Sequence, residues 1–96
     1  MRRIYLITYD ICDAKRLRLV FKCLRGWGDH LQYSVFECQL TASDLLRCRG
    51  QLSDLIHHGH DQVLVIDLGP AANRSDSLVE AIGKPYSAMA APCLVI

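Results

Sequence analysis

The sequence lacks a long hydrophobic run and lacks a large net charge. Its longest apolar runs, Val63–Ile66 and Ala90–Ile96, fall far short of the roughly 20 residues that a bilayer crossing needs. The start of the chain does not read as a signal peptide, because Asp10 and Asp13 interrupt the stretch that would have to be apolar. A hydrophobic content of 51% with a net charge of +1 excludes disorder as the dominant state. We therefore expect a soluble cytoplasmic protein with no membrane partner.

Paired cysteines and internal repeats are also missing. The five cysteines are odd in number and contain no Cys-x-x-Cys spacing, which favours apolar packing over a disulfide or zinc role. A chain of 96 residues supports one domain. We assign residues 1–96 to a single domain, with a core over 1–82 and a tail over 83–96.

Charge is distributed unevenly along the chain. Residues 1–49 contain nine basic and five acidic residues, a net +4, whereas residues 50–96 contain two basic and five acidic residues, a net −3. A negatively charged partner would therefore meet the first half of the chain.

The hydrophobic pattern predicts alternating strands and helices. A strand over Arg3–Tyr9 precedes a helix that Asp13 caps and that runs to about Arg25, where Gly26 takes a left-handed conformation. A single extended segment, Leu31–Leu40, follows. The second half of the chain continues with a helix from Thr41 to Gly59, a buried or central strand over Gln62–Leu68, a Gly69-Pro70 loop and a short strand over Leu78–Ile82. The apolar segment Cys93–Ile96 is expected to add to a sheet edge, either that of its own chain or that of a partner.

This order of elements favours a two-layer sandwich with helices on one face of a small sheet. Both faces of the first strand are apolar: Tyr5, Ile7 and Tyr9 share one face, whereas Ile4, Leu6 and Thr8 share the other. The helices cover only one of these faces. We therefore predict a homodimer in which the two sheets pack against each other.

The first helix carries a basic stripe beside an apolar one. Its basic members are Lys15, Arg18, Lys22 and Arg25, and the apolar members are Leu17, Val20, Phe21 and Leu24. No acidic residue lies between Lys15 and Arg25, which favours a polyanion as ligand, although an ordinary solvated helix face gives the same pattern.

Two further features admit a metal interpretation. Asp10 ends the first strand, where a carboxylate can bind a hard cation through oxygen, although it can equally be a turn residue or a helix cap. The cluster of His57, His58 and His60 is typical of a metal-binding tract. Its place at a helix end favours interaction with the helix dipole instead.

Two blocks at matching spacing resemble a known family. The segment 5–11 followed by 13–18, together with the segment 32–38, resembles the small CRISPR-associated endoribonuclease, the second Cas protein of spacer acquisition. The resemblance implies an α+β, ferredoxin-like βαββαβ fold with an extra C-terminal strand and a dimer formed through the sheets. It also implies that Leu31–Leu40 is two strands, bent near Ser34.

The same resemblance implies the site. Asp10, one from each chain, would hold a divalent metal such as Mg²⁺, and Tyr9, Arg16, Arg18 and Phe36 are similar to residues implicated in nuclease activity. The expected nucleic-acid-binding residues are Lys15, Arg16, Arg18, Lys22 and Arg25.

Two functions follow from the resemblance. One is a metal-dependent endonuclease acting on RNA or DNA, and the other is a scaffold that binds DNA and bridges subunits of the adaptation-module integrase. A toxin-type ribonuclease of similar fold and a non-enzymatic, ferredoxin-like regulatory dimer remain alternatives.

Overall fold

A computed structural model describes residues 1–73 and 78–85 of the chain. The elements are β1 (Arg3–Asp10), α1 (Ala14–Arg25), β2 (Asp29–Gln32), β3 (Val35–Leu40), α2 (Ala42–Leu55) and β4 (Gln62–Pro70), followed by a 3-10 turn over Ala71–Asn73. The described strands form one sheet in the order β2-β3-β1-β4, and every neighbouring pair is antiparallel. The predicted α+β fold with ferredoxin-like strand order is confirmed.

Both helices begin where the sequence predicts. Asp13 Oδ2 accepts a hydrogen bond of 2.9 Å from the N–H of Arg16, and Thr41 Oγ1 accepts one of 3.1 Å from the N–H of Asp44. These bonds satisfy donors that have no partner inside the helix.

The helix ends differ from the prediction. Gly26 has a φ of −77°, so the predicted left-handed conformation is wrong, because its N–H instead closes a tight turn on the carbonyl of Cys23. Helix α2 ends at Leu55 and is capped by Ile56 rather than ending at Gly59.

The segment between the helices is two strands, so the single extended piece predicted from the pattern is wrong. Tyr33 has a φ of 42° and, with Ser34, forms the turn that separates β2 from β3. The Nε2 atom of His30 donates a hydrogen bond of 2.6 Å to the carbonyl of Tyr33 across this turn. The break near Ser34 that the family resemblance implies is confirmed.

Strand β4 is at the predicted place but is not central or buried. It continues through Gly69 and Pro70, where a loop was expected, and among the described strands it pairs only with β1. Leu64 and Ile66 are 48% and 42% exposed. Over 78–82 the structure shows no strand, so that prediction is wrong, and Cys93–Ile96 lies outside the described residues.

The core lies between the helices and one face of the sheet. It contains alternate residues of β1 together with apolar residues of the helices and β3: Tyr5, Ile7, Tyr9, Val20, Leu24, Phe36, Cys38, Leu40, Cys48 and Leu52. Apolar packing of cysteines is confirmed for Cys38 and Cys48, and burial raises the pKa of each thiol to about 12. The prediction of apolar packing is wrong for Cys12, which is exposed. Within the described ranges, no helix has the length and apolarity needed to span a membrane.

Candidate nucleic-acid interface and strand-end acid

Asp10 is the last residue of β1 and is exposed. It lies opposite Gln62 of β4 in the antiparallel register. Because side chains alternate along a strand, Asp10 shares the face of Leu6 and Thr8, which is the face turned away from the helices. Its carboxylate makes no hydrogen bond or ion pair within the part of the chain that the structure describes. Both oxygens are therefore available to a ligand on the open face of the sheet.

The described residues of one chain supply the right donor for Mg²⁺ but too few of them. Carboxylate oxygen is the ligand that Mg²⁺ takes in proteins, usually from one or two carboxylates with water and phosphate oxygens completing the shell. No three His, Cys, Asp or Glu side chains converge anywhere in residues 1–73 and 78–85. A site at Asp10 would need a second chain or the phosphates of a substrate.

Tyr9 points to the opposite face from Asp10 and is buried in the core, with 5% of its surface exposed. Its hydroxyl has no hydrogen-bond partner among the described residues. Burial raises the pKa of this hydroxyl to about 12, so Tyr9 stays neutral at physiological pH. A neutral, buried hydroxyl is not a general base.

Phe36 is fully buried and lies opposite Ile7 in the pairing of β1 with β3. Its ring centroid lies 5.5 Å from that of Phe21, 5.0 Å from that of His30 and 6.4 Å from that of Tyr9. Phe36 is therefore near the Asp10 end of β1, as expected, but in the folded chain it supports the core rather than facing solvent.

The basic stripe of α1 lies at the surface. Lys15, Arg18, Lys22 and Arg25 are all exposed, while Val20 and Leu24 of the neighbouring apolar stripe are buried. None of the four basic residues makes an ion pair with any described residue. The guanidinium of Arg25 lies 5.7 Å from the ring centroid of Phe21. The helix thus presents unneutralised positive charge along one side, as phosphate binding requires.

Arg16 differs from the rest of the basic residues of α1. Its Nε and Nη2 atoms donate hydrogen bonds of 2.7 Å and 3.1 Å to the two carboxylate oxygens of Asp61. The Arg16 side chain is 28% exposed and that of Asp61 is fully shielded. The structure therefore separates Arg16 from the four solvent-facing cations.

Asp61 is a residue that the sequence reasoning missed. Its carboxylate also accepts backbone hydrogen bonds from Cys12 at 2.9 Å and from His57 at 2.8 Å. The Arg16 guanidinium, more than the two backbone donors, holds the pKa of Asp61 well below its usual range. The sequence does contain a signal for the other member of this pair, Arg16. At about 100° per residue, Arg16 lies roughly 40° round α1 from Val20, on the edge of the buried side of the helix.

The three histidines after α2 make local contacts. The rings of His57 and His60 stack with centroids 4.2 Å apart, and Nε2 of His58 donates a hydrogen bond of 2.8 Å to the carbonyl of Ser53 in the last turn of α2. The helix-end interpretation predicts this contact, in which a histidine side chain binds a backbone carbonyl in the last turn of the helix.

Comparisons with known proteins point to one family. Residues 1–75 match the family described as CRISPR associated protein Cas2. The CRISPR-associated endoribonuclease Cas2 of Geobacter sulfurreducens is 33% identical over 96 residues, which is all of both chains. CRISPR-associated endoribonuclease Cas2 1 of Rhodospirillum rubrum is 39% identical over 92 residues, 96% of this chain and 89% of the relative. The crystal structure of Streptococcus pyogenes Cas2 superimposes with a TM-score of 0.71 at 30% identity, covering 83% of this chain and 99% of that one.

Proposed function

The chain belongs to the CRISPR-associated protein Cas2 family, a nuclease family of CRISPR adaptation, and we propose that it acts as a homodimer that binds DNA and bridges integrase subunits in spacer acquisition. The observation that carries the proposal is the stripe of four exposed, unpaired cations on α1. Membership of this family argues against the two alternative functions, a toxin-type ribonuclease and a regulatory dimer.

The exposed sheet face supports the dimer. Leu64 and Ile66 of β4 are exposed on the same face as Leu6 and Thr8 of β1. A contiguous apolar surface of this kind is typical of an interface with another protein chain. Asp10 lies at the end of that face, so two copies that pack through it would bring one carboxylate from each chain toward the common axis.

A second candidate function is metal-dependent cleavage of RNA or DNA. The names endoribonuclease and endonuclease, which two relatives carry, favour nucleic-acid cleavage, and the exposed carboxylate of Asp10 favours a metal ion. Asp10 of each chain would hold the ion, and Arg18 would hold a phosphate of the substrate. When bound, Mg²⁺ polarises a phosphodiester and supplies an activated water. One carboxylate per chain suits a scaffold better than an efficient nuclease, so we place the scaffold first.

Replacing Asp10 separates the two functions. Asp10→Ala should leave spacer acquisition in cells unchanged, while any cleavage of RNA or duplex DNA by the purified protein in Mg²⁺ disappears. Loss of acquisition by a variant that remains dimeric would instead show that catalysis is the biological role. Co-purification of the parent and the variant with the integrase and a short duplex, followed by measurement of the assembly mass, is the control.

The basic stripe predicts salt-sensitive binding of a DNA duplex. Affinity should fall steeply between about 50 and 200 mM salt. Arg18→Ala should reduce the slope of log K against log salt by about 1.8, because each of the two chains of the dimer loses one phosphate contact worth about 0.9. Arg47→Ala is the matched control, because Arg47 already pairs with Asp44 at 2.6 Å. Binding that does not respond to salt would contradict the phosphate contacts.

A further inference from the structure

We propose that Arg16 and Asp61 form a positioning pair, which fixes the chain immediately after Asp10, and that Arg16 does not bind phosphate. The proposal rests on the proposed function, because it assigns roles within the same nucleic-acid site. It divides the basic residues of α1 into two groups: four that face a polyanion, and one that acts through a buried carboxylate.

Asp61 has the geometry of a fixed anchor. Its side chain is fully shielded from solvent, and its two oxygens accept four hydrogen bonds, two from Arg16 and one each from the backbone N–H groups of Cys12 and His57. The two backbone bonds tie the loop after β1 to the loop after α2. A carboxylate with four donors holds both loops in one arrangement.

This anchor lies directly beside Asp10. Cys12, whose N–H binds Asp61, is two residues after Asp10, and Gln62, which follows Asp61, lies opposite Asp10 in the pairing of β1 with β4. The backbone of Asp10 is therefore held by the sheet on one side and by Asp61 on the other. A shift of Asp61 would move the exit of β1 and change the direction of the Asp10 carboxylate.

The same contacts make the Arg16 guanidinium unavailable to a phosphate. Two of its three nitrogens bind Asp61, and a phosphate that competed for them would leave a shielded carboxylate without its cation, which is strongly unfavourable. Arg18, two residues further along α1, is exposed and has no such partner among the described residues. The two arginines give a matched pair for experiment.

The salt dependence of duplex binding distinguishes the two roles. The slope of log K against log salt should be the same for Arg16→Ala as for the parent, whereas for the Arg18→Ala dimer it should be smaller by about 1.8, one phosphate contact of about 0.9 per chain. A slope for Arg16→Ala that is smaller than the parent's by about 0.9 per chain would overturn the proposal. If Arg16→Ala does not fold, Arg16→Gln, which keeps a hydrogen-bond donor but no charge, is measured with the same two outcomes.

Amide hydrogen exchange tests the positioning directly and needs no nucleic acid. In Arg16→Ala and in Asp61→Asn, exchange at the N–H of Cys12 should become faster by about tenfold or more, because the bond to a fixed carboxylate is lost or weakened. Asp67→Asn is the matched control, since Asp67 also pairs with an arginine, Arg3, but is 48% exposed and lies at the far end of the sheet. Unchanged exchange at Cys12 in Arg16→Ala would overturn the proposal.

A double variant provides a comparison of activities that a loss of stability alone would not explain. If Arg16 acts through Asp61, the Arg16→Ala/Asp61→Asn protein should cleave or assemble no worse than the weaker single variant. Losses that multiply in the double variant would overturn the proposal. If the parent itself shows no duplex binding, the proposed function fails, and the exchange measurement alone decides the role of the pair.

Discussion

At the residue scale, two adjacent side chains at the end of β1 lie on opposite faces of the sheet, one in the core and one at the surface. Tyr9 and Asp10 are neighbours in sequence, yet the alternation of the strand buries the first and exposes the second. The family resemblance placed both in the nuclease site. The structure keeps Asp10 available to a ligand and gives Tyr9 the position of a core residue whose hydroxyl has no partner among the described residues.

Removal of that hydroxyl should stabilise the protein. Tyr9→Phe should raise the free energy of unfolding by roughly 1 kcal/mol, because a buried hydroxyl without a partner costs desolvation energy that phenylalanine does not. Urea unfolding followed by circular dichroism measures the change. Tyr33→Phe is the control, since Tyr33 is 60% exposed and should leave the midpoint unchanged. A lower midpoint for Tyr9→Phe would show that the hydroxyl has a partner in solution.

At the element scale, local chemistry predicted both helices and their caps because Asp13 and Thr41 act on N–H groups only three residues away. It failed at the turn between β2 and β3, since Tyr33 adopts a left-handed conformation that sequence rules reserve for glycine or asparagine. It also failed to find Asp61, because the partners of Asp61 are up to 49 residues away in the chain. Contacts of that range depend on the completed sheet.

The approach of the α1–β2 connection to β3 requires a glycine at position 28. A Cβ atom there would overlap the carbonyl oxygen of Glu37 and lie 2.5 Å from the Sγ atom of Cys38. Gly28→Ala should therefore destabilise the protein by about 1–3 kcal/mol, the usual cost of overpacking.

Gly50 is the matched control for that substitution. It lies inside α2, and a Cβ atom added there would meet no atom of another element within 4 Å. Gly50→Ala should therefore stabilise the protein by about 0.5–1 kcal/mol through helix propensity. Thermal unfolding of both variants measures the difference. Equal midpoints would contradict the close packing of residue 28 against β3.

At the scale of the whole molecule, the buried thiols make the fold sensitive to alkali. The pKa of Cys38 and that of Cys48 are raised from about 9 to about 12 in the folded chain, so an unfolded chain loses these protons at lower pH than the folded one. Their contribution to stability is complete below pH 9 and is lost as the pH rises toward 12.

The free energy of unfolding should therefore decline above pH 9 by about 1.4 kcal/mol per pH unit for each of the two thiols. Cys48→Ala should make this decline in the free energy of unfolding less steep by about 1.4 kcal/mol per pH unit, the contribution of one thiol. Val20→Ala, which also truncates a fully buried side chain but carries no proton, should lower stability without changing the slope. Urea midpoints from pH 7 to 11 give the comparison, and a flat profile for the parent would contradict the burial of the thiols.

The proposed function of the molecule depends on two chains meeting through the sheet face that carries Leu64, Ile66 and Asp10. Sedimentation equilibrium at micromolar concentration tests this most directly. It should give a mass of 21.6 kDa for the parent, twice the 10.8 kDa of one chain, and 10.8 kDa for Ile66→Asp, which places a charge on that face. A parent that sediments at 10.8 kDa throughout, or an Ile66→Asp variant that remains at 21.6 kDa, would contradict it.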